Sequence, residues 1–147
     1  MLRRGCAAKP PQGRALAGPW QMQVGLLGEA LHVPTEAGAA MVPWQPVVGA
    51  AAVDRITWLK AVFDAPADWA SPEALALDLS GGGKGHVYVN GFDCGRYWVR
   101  DPVLSTYYQL PPDNLRPKGN LLVLFEELGV ADLSKVRVVR RGGGGQA

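Results

Sequence analysis

His86–Val99 reads HVYVNGFDCGRYWV. Two alternating runs flank Asn90-Gly91. A two-residue type I′ turn needs positive φ at both central residues, and Asn followed by Gly meets that demand at the least steric cost. The stretch therefore predicts a β-hairpin, His86–Asn90 followed by Phe92–Val99. Upstream, Gly81, Gly83 and Gly85 lie in a GGGKG run that lets the chain turn sharply after Leu75–Leu79 (LALDL). Gly95 relieves crowding where the second hairpin strand twists, at a bulge. Thr106–Leu110 is the next strand. Pro111–Pro117 is a turn-rich connection, and Lys118-Gly119 turns the chain into Asn120–Glu126 (NLLVLFE).

Further out the pattern repeats. Ile56–Phe63 (ITWLKAVF) is rich in β-branched and aromatic residues, Lys135–Arg140 (KVRVVR) closes the strand set, and Trp20–Leu27 (WQMQVGLL) alternates as a half-buried strand would. Residues 28–55 are broken by Gly and Pro, with a weak strand at Trp44–Val48. About eight short strands with almost no helical period predict an all-β, antiparallel β-sandwich. The runs LLVLF and ITWLKAVF are apolar on both faces, so some central strands should be covered on both sides, by loops or a neighbouring domain. The expected organisation is a disordered tail over 1–19, a sandwich over 20–140 (irregular lead-in 20–55, core strands 56–140) and a flexible end over 141–147.

Composition narrows the function. The chain has 147 residues, 48% hydrophobic and 19% charged, a globular balance. Its 19 Gly and 12 Pro leave little room for long helices. A complete α/β barrel normally needs about 250 residues. No breaker-free apolar run of about 18 residues predicts a membrane helix. The net charge of +2 hides an uneven distribution: Trp20 to Val139 holds nine basic and thirteen acidic residues, leaving −4. A nucleic-acid binder would place a basic stripe on that body, so no nucleic-acid or membrane partner is expected. Met1–Ala8 is basic but lacks the apolar stretch of a secretory signal.

Most motifs with chemical potential have plain structural readings. GGGKG lacks the first Gly and the Ser or Thr of a phosphate loop, and a strand rather than a helix should follow it. Two cysteines, Cys6 and Cys94, and two histidines, His32 and His86, give no disulfide framework and no metal spacing. No metal or cofactor is expected, and His86 suits a surface or edge position. Glu126-Glu127 are adjacent in a strand and point to opposite faces. They cannot form a catalytic pair with each other and read as charges at a strand end. The aromatics stand apart. Tyr97, Trp98, Tyr107 and Tyr108 cluster beside Arg96 and Arg100. Aromatic faces stack on sugar rings and Arg donates to hydroxyls, which makes Arg96, Tyr97, Trp98 and Tyr107 the candidate carbohydrate-binding residues. The structural alternative, that Trp98 and one Tyr of each pair fill the core or an interdomain contact, is the favoured one.

Residues 74–127 contain, in order, LDLSGGGKG, VYVNG, GRYW, TYYQLP and LRPKGNLLVLFEE. Together they resemble the C-terminal jelly-roll region of plant-type glycoside hydrolase family 35 β-galactosidases, as do WQMQVGLLGEALHV and ITWLKAVFDAP upstream. The resemblance implies a galactose-binding-like fold and a parent enzyme that cleaves terminal β-galactose with retention. In that family a separate barrel carries the two catalytic glutamates, so no catalytic residue is assigned here. Many plant members carry a cysteine-bearing insertion where this chain has only RDPVLS, and Leu110-Pro111-Pro112 stands where many have Val-Pro-Arg. The expected function is a non-catalytic accessory domain whose partner is a catalytic barrel or a galactoside. The alternatives are an independent lectin-like module and a truncated product without a function of its own. For the parent the resemblance implies a secretory destination, such as wall or vacuole; for this chain the compartment is left open.

Overall fold

Asn90 and Gly91 take φ of 52° and 85°, the left-handed pair that the mirror-type hairpin turn demands. They join β3 (Lys84–Val89) to β4 (Phe92–Trp98). Val87 faces Gly95 and Tyr88 faces Asp93, so Cys94 is an extra residue and the predicted bulge is present. Gly95 has φ 103°. The computed structural model describes residues 26–47, 56–67, 69, 74–99, 105–129 and 132–141.

Among those residues seven strands form two antiparallel sheets. The first has the order β1 (Thr57–Phe63), β6 (Asn120–Glu126), β3, β4; the second has the order β5 (Tyr107–Gln109), β2 (Ala74–Asp78), β7 (Arg137–Arg141). Leu59, Leu77, Val87, Val89, Leu122 and Leu124 meet between the sheets with Leu75, Leu79 and Leu110. The predicted all-β sandwich is thus the observed fold.

A second, smaller core lies on the outer face of the first sheet. Leu121 and Val123 of β6 pack there against Val33 and Ala39, carried by the segment with α1 (Leu27–Ala30) and α2 (Glu36–Ala40). Thr35 caps α2 by accepting from Gly38 N–H at 3.1 Å. The Trp44 indole N–H donates to the Ala39 carbonyl at 2.7 Å and closes the segment. Strand β6 therefore buries both faces, as its unbroken apolar run implies.

Several expectations change. Leu27 opens α1 instead of ending a strand, and the rest of the Trp20–Leu27 strand, apart from the coil residue Leu26, lies outside the described residues. Residues 43–47 form no strand, and Val48 lies outside the described residues. Strand β1 is not covered on both faces: Val62 is 66% exposed and Lys60 and Ala61 are exposed. It is an edge strand paired only with β6 among the described residues, and the helical layer reaches it at Trp58 while its core packs on β6. Of the surface or edge position expected for His86, the structure gives the surface: it is half-exposed on the outer face of the inner strand β3. Arg141 is the last residue of β7 and not the start of a tail. The expected tails 1–19 and 142–147 lie outside the described residues.

Gly85 is set by close approach and not by turn geometry. A Cβ there would lie 1.7 Å from the Phe125 carbonyl oxygen, a backbone atom of the paired strand. At Gly95 a Cβ would meet nothing within 4 Å, so only its positive φ resists substitution. Urea denaturation should separate the two constraints. Gly85→Ala is expected to cost about 3 kcal/mol through overpacking, and Gly95→Ala about 1 kcal/mol through backbone strain. Equal losses would contradict this assignment.

Candidate functional site

Among the described residues the most deeply buried acid is Glu126, at the end of β6, which has no solvent exposure. Its Oε2 accepts from Gly83 N–H at 3.1 Å and from the Tyr97 hydroxyl at 2.6 Å. Its Oε1 accepts from Lys84 N–H at 3.1 Å and Leu128 N–H at 2.9 Å. Four donors fill the four lone-pair positions of a carboxylate, which is what burial of such a group requires. The site exists because Gly83 has no side chain: a Cβ there would stand 2.5 Å from Glu126 Oε1. Burial, reinforced by the hydrogen bond to Glu126, pushes the Tyr97 phenol far above its ordinary range, so Tyr97 remains a donor. The expectation that Glu126 and Glu127 are simply charges at a strand end fails for Glu126. The alternation correctly sends the two to opposite faces, and that same inward direction is the signal for burial.

Glu127 faces outward into a charged and aromatic row. Lys84 Nζ lies 2.8 Å from its Oε2 and Arg96 Nη2 lies 3.1 Å from its Oε1. The hydrogen bond from Lys84, assisted by Arg96, holds the Glu127 carboxyl below its usual range. Lys84 also sits over the Trp98 ring, 5.3 Å from its centroid. The next row across the sheet aligns Trp58, Phe125, His86 and Arg96, with Trp58 and Phe125 ring centroids 4.8 Å apart. Burial pushes the Cys94 thiol up to about 11, so it stays protonated and unreactive near neutral pH.

The four candidate sugar-binding residues do not converge. Arg96 and Trp98 share the outer face of the first sheet, and Trp98 is 44% exposed. Tyr97 is 1% exposed and bonded to Glu126, so it presents no face to a ligand at the surface. The alternation that turns Trp98 outward turns Tyr97 inward. Tyr107 is 42% exposed but belongs to β5 of the second sheet. Its neighbour Tyr108 points inward instead and accepts Trp98 N–H at 2.9 Å. Asn90, expected as a turn residue only, also ties the hairpin to β6: its Nδ2 donates to Asn120 Oδ1 at 2.9 Å and its Oδ1 accepts Leu121 N–H at 2.9 Å.

A cleft of about 900 Å³ opens between the sheets, where Leu59, Phe63 and Leu122 face Leu77, Val136 and Val138. Lys60 and Arg137 also line it, and none of the described lining residues is Asp or Glu. Among the described residues no three His, Cys, Asp or Glu side chains group as metal ligands. No helix among them is long and apolar enough to cross a membrane.

Two antiparallel sheets packed face to face, with an apolar cleft between them, make this a β-sandwich module. Residues 56–120, from β1 to the first residue of β6, match the family model described as β-galactosidase, galactose-binding domain. The chain is 39% identical over 115 residues to Beta-galactosidase 7 of Oryza sativa subsp. japonica, covering 75% of this chain and 14% of that protein. It is 39% identical over 114 residues to Beta-galactosidase 11 of Arabidopsis thaliana (74% and 13%) and 38% identical over 128 residues to rice Beta-galactosidase 12 (83% and 13%). The resemblance to plant family 35 β-galactosidases, read above from ordered motifs, therefore stands, and the chain spans 13–14% of the length of these relatives.

Two measurements probe the carboxylates. Tyr97→Phe, which leaves three donors on Glu126, should lower stability by about 1–2 kcal/mol in urea. Glu126→Gln, which turns an NH₂ toward backbone N–H groups, should cost more. In a carboxyl NMR titration, Lys84→Ala should move Glu127 upward toward its ordinary range. A depressed carboxyl stabilises the fold above its unfolded pKa, and that contribution fades as the pH falls through the folded value. An unmoved Glu127 would show that Lys84 is not the dominant cause.

Proposed function

We propose that this chain acts as a non-catalytic accessory β-sandwich of a β-galactosidase-like glycoside hydrolase, docking through its apolar cleft onto a catalytic barrel. The observation that carries this reading is the character of the cleft. Hydrolysis of a glycoside needs two carboxyl groups facing each other across the sugar, about 5–9.5 Å apart. The cleft offers core leucines and valines with Lys60 and Arg137 instead. Such a surface suits apolar side chains of a partner flanked by acidic ones, and open apolar clefts of this size ask for a cover. The similarity to plant proteins named β-galactosidases, many times longer than the matched region, supports a setting in which a barrel is the neighbour.

The chain itself is expected to show no turnover of a chromogenic β-galactoside. Mixed with a plant β-galactosidase barrel lacking its own C-terminal sandwich, it should form a complex by size-exclusion chromatography and raise the melting temperature of the barrel. Val47→Asp, at a 46% exposed position lining the cleft, should weaken the complex about tenfold or more without unfolding the module. Turnover abolished by one carboxylate substitution, or complex formation indifferent to the Val47 change, would overturn the reading.

A further inference from the structure

Among the described residues the α1–α2 segment packs on the outer face of the first sheet around Leu121 and Val123 and not around Arg96. On that face also lie Lys84, Arg96, Trp98 and Glu127, with His86 and Phe125 in the adjoining row. We propose that this patch is a glycan-binding face, and that it takes a sugar unit carrying a carboxylate, as in a uronate-containing chain. The argument rests on which hydrogen-bonding capacity remains. Both Glu127 oxygens are engaged, Oε1 by Arg96 and Oε2 by Lys84 and Arg96. The guanidinium of Arg96 has five N–H donors and the Lys84 ammonium three, and their side-chain contacts here run to Glu127 and, for Lys84, the Trp98 ring. The donors left over are mainly those of Arg96, whose side chain is exposed, and the nearest further acceptor is Asp93, beside His86.

A neutral sugar hydroxyl both donates and accepts, whereas a carboxylate only accepts and pairs with Arg in two parallel bonds. Charge leads to the same ligand. Lys84 and Arg96 share Glu127, while the next carboxylate on this face, Asp93, lies beside His86 and accepts the Gly95 N–H. Trp98, 44% exposed, supplies the flat apolar wall on which the C–H face of a pyranose ring stacks. The body of the chain carries −4 between Trp20 and Val139, so long-range steering does not favour an anion. Recognition rests on direct contact with the aromatic wall and the cation pair. This face is distinct from the cleft, so the proposal stands or falls independently of docking.

The test is an NMR titration of the isotope-labelled full chain with three probes: a short galacturonate oligomer, a galactose oligomer of equal length and tripolyphosphate. The galacturonate oligomer should shift the Trp98 indole N–H and the Arg96 side chain saturably, and bind about tenfold or more tighter than the neutral oligomer. Arg96→Ala and Trp98→Ala should each weaken it about tenfold with the remaining spectrum unchanged, while Lys118→Ala, elsewhere on the surface, should not. Equal affinity for the neutral oligomer, or shifts that bypass Trp98 and Arg96, would overturn the proposal. So would tripolyphosphate binding as tightly and independently of Trp98, since that would be charge attraction alone.

Discussion

The fold depends on a carboxylate that water never reaches. Glu126 ends the central strand β6 at the point where the chain leaves the first sheet, and it gathers the backbone of the glycine turn, the start of β3, the chain after β6 and a phenol of β4. The Gly83 N–H and the Tyr97 hydroxyl would otherwise face the interior without a partner, and an unpaired buried polar group costs roughly 1–3 kcal/mol. The arrangement works only as a set. Without the glycine at 83 the carboxylate has no room, without Tyr97 facing inward one lone pair is empty, and without β6 in its register the acid points elsewhere. Glycines that look like phosphate-loop material are in fact space and donors for an internal anion.

Strand β6 sets the layering. Its alternate residues feed two cores, Leu122 and Leu124 toward the second sheet and Leu121 and Val123 toward the helical segment. A strand buried on both faces fixes its register strongly, because a one-residue slip would exchange the two apolar sets and expel Glu126. Its neighbours are freer. Edge strand β1 leaves Val62 exposed, and the cleft opens beside it. Among the described residues the small second core stops short of the polar end of the outer face, around Arg96 and Trp98. One strand's burial thus leaves two separate surfaces available, one apolar and one cationic with aromatic flanks.

Much of this was legible in the residues. Asn90-Gly91 has a single economical turn geometry, and the alternating runs around it have one pairing, so the hairpin followed directly. The unbroken apolar run of β6 announced burial on both faces. Two things escaped. The α1–α2 segment is too short to display a helical period, four and five residues long, and its Gly and Pro content reads as loop. The candidate sugar residues Arg96, Tyr97 and Trp98 are neighbours in sequence, but strand alternation sends neighbours to opposite faces, Tyr97 to the interior and Trp98 to the surface. Applied to Glu126-Glu127 the same rule was used to reject a pair, but the inward member's destination depends on Gly83 and Tyr97, which are distant in sequence and meet it only through the fold.

The same logic accounts for the acidic body of the chain. Asp64 accepts Gly119 N–H, Asp78 accepts Ser80 N–H, Asp93 accepts Gly95 N–H and Asp132 accepts Ser134 N–H, all at 2.8–3.0 Å. Glu29 accepts Leu26 N–H at 3.1 Å before α1. Asp and Glu at such positions satisfy backbone donors that no ladder reaches, which matters most in a sandwich where many short strands must be joined by tight connections. At these five positions the carboxylate oxygens are directed at the protein's own amides rather than toward one another. Those turns hold apart the two surfaces on which the proposals rest, the cleft between the sheets and the row of Lys84, Arg96 and Trp98 on the outer face.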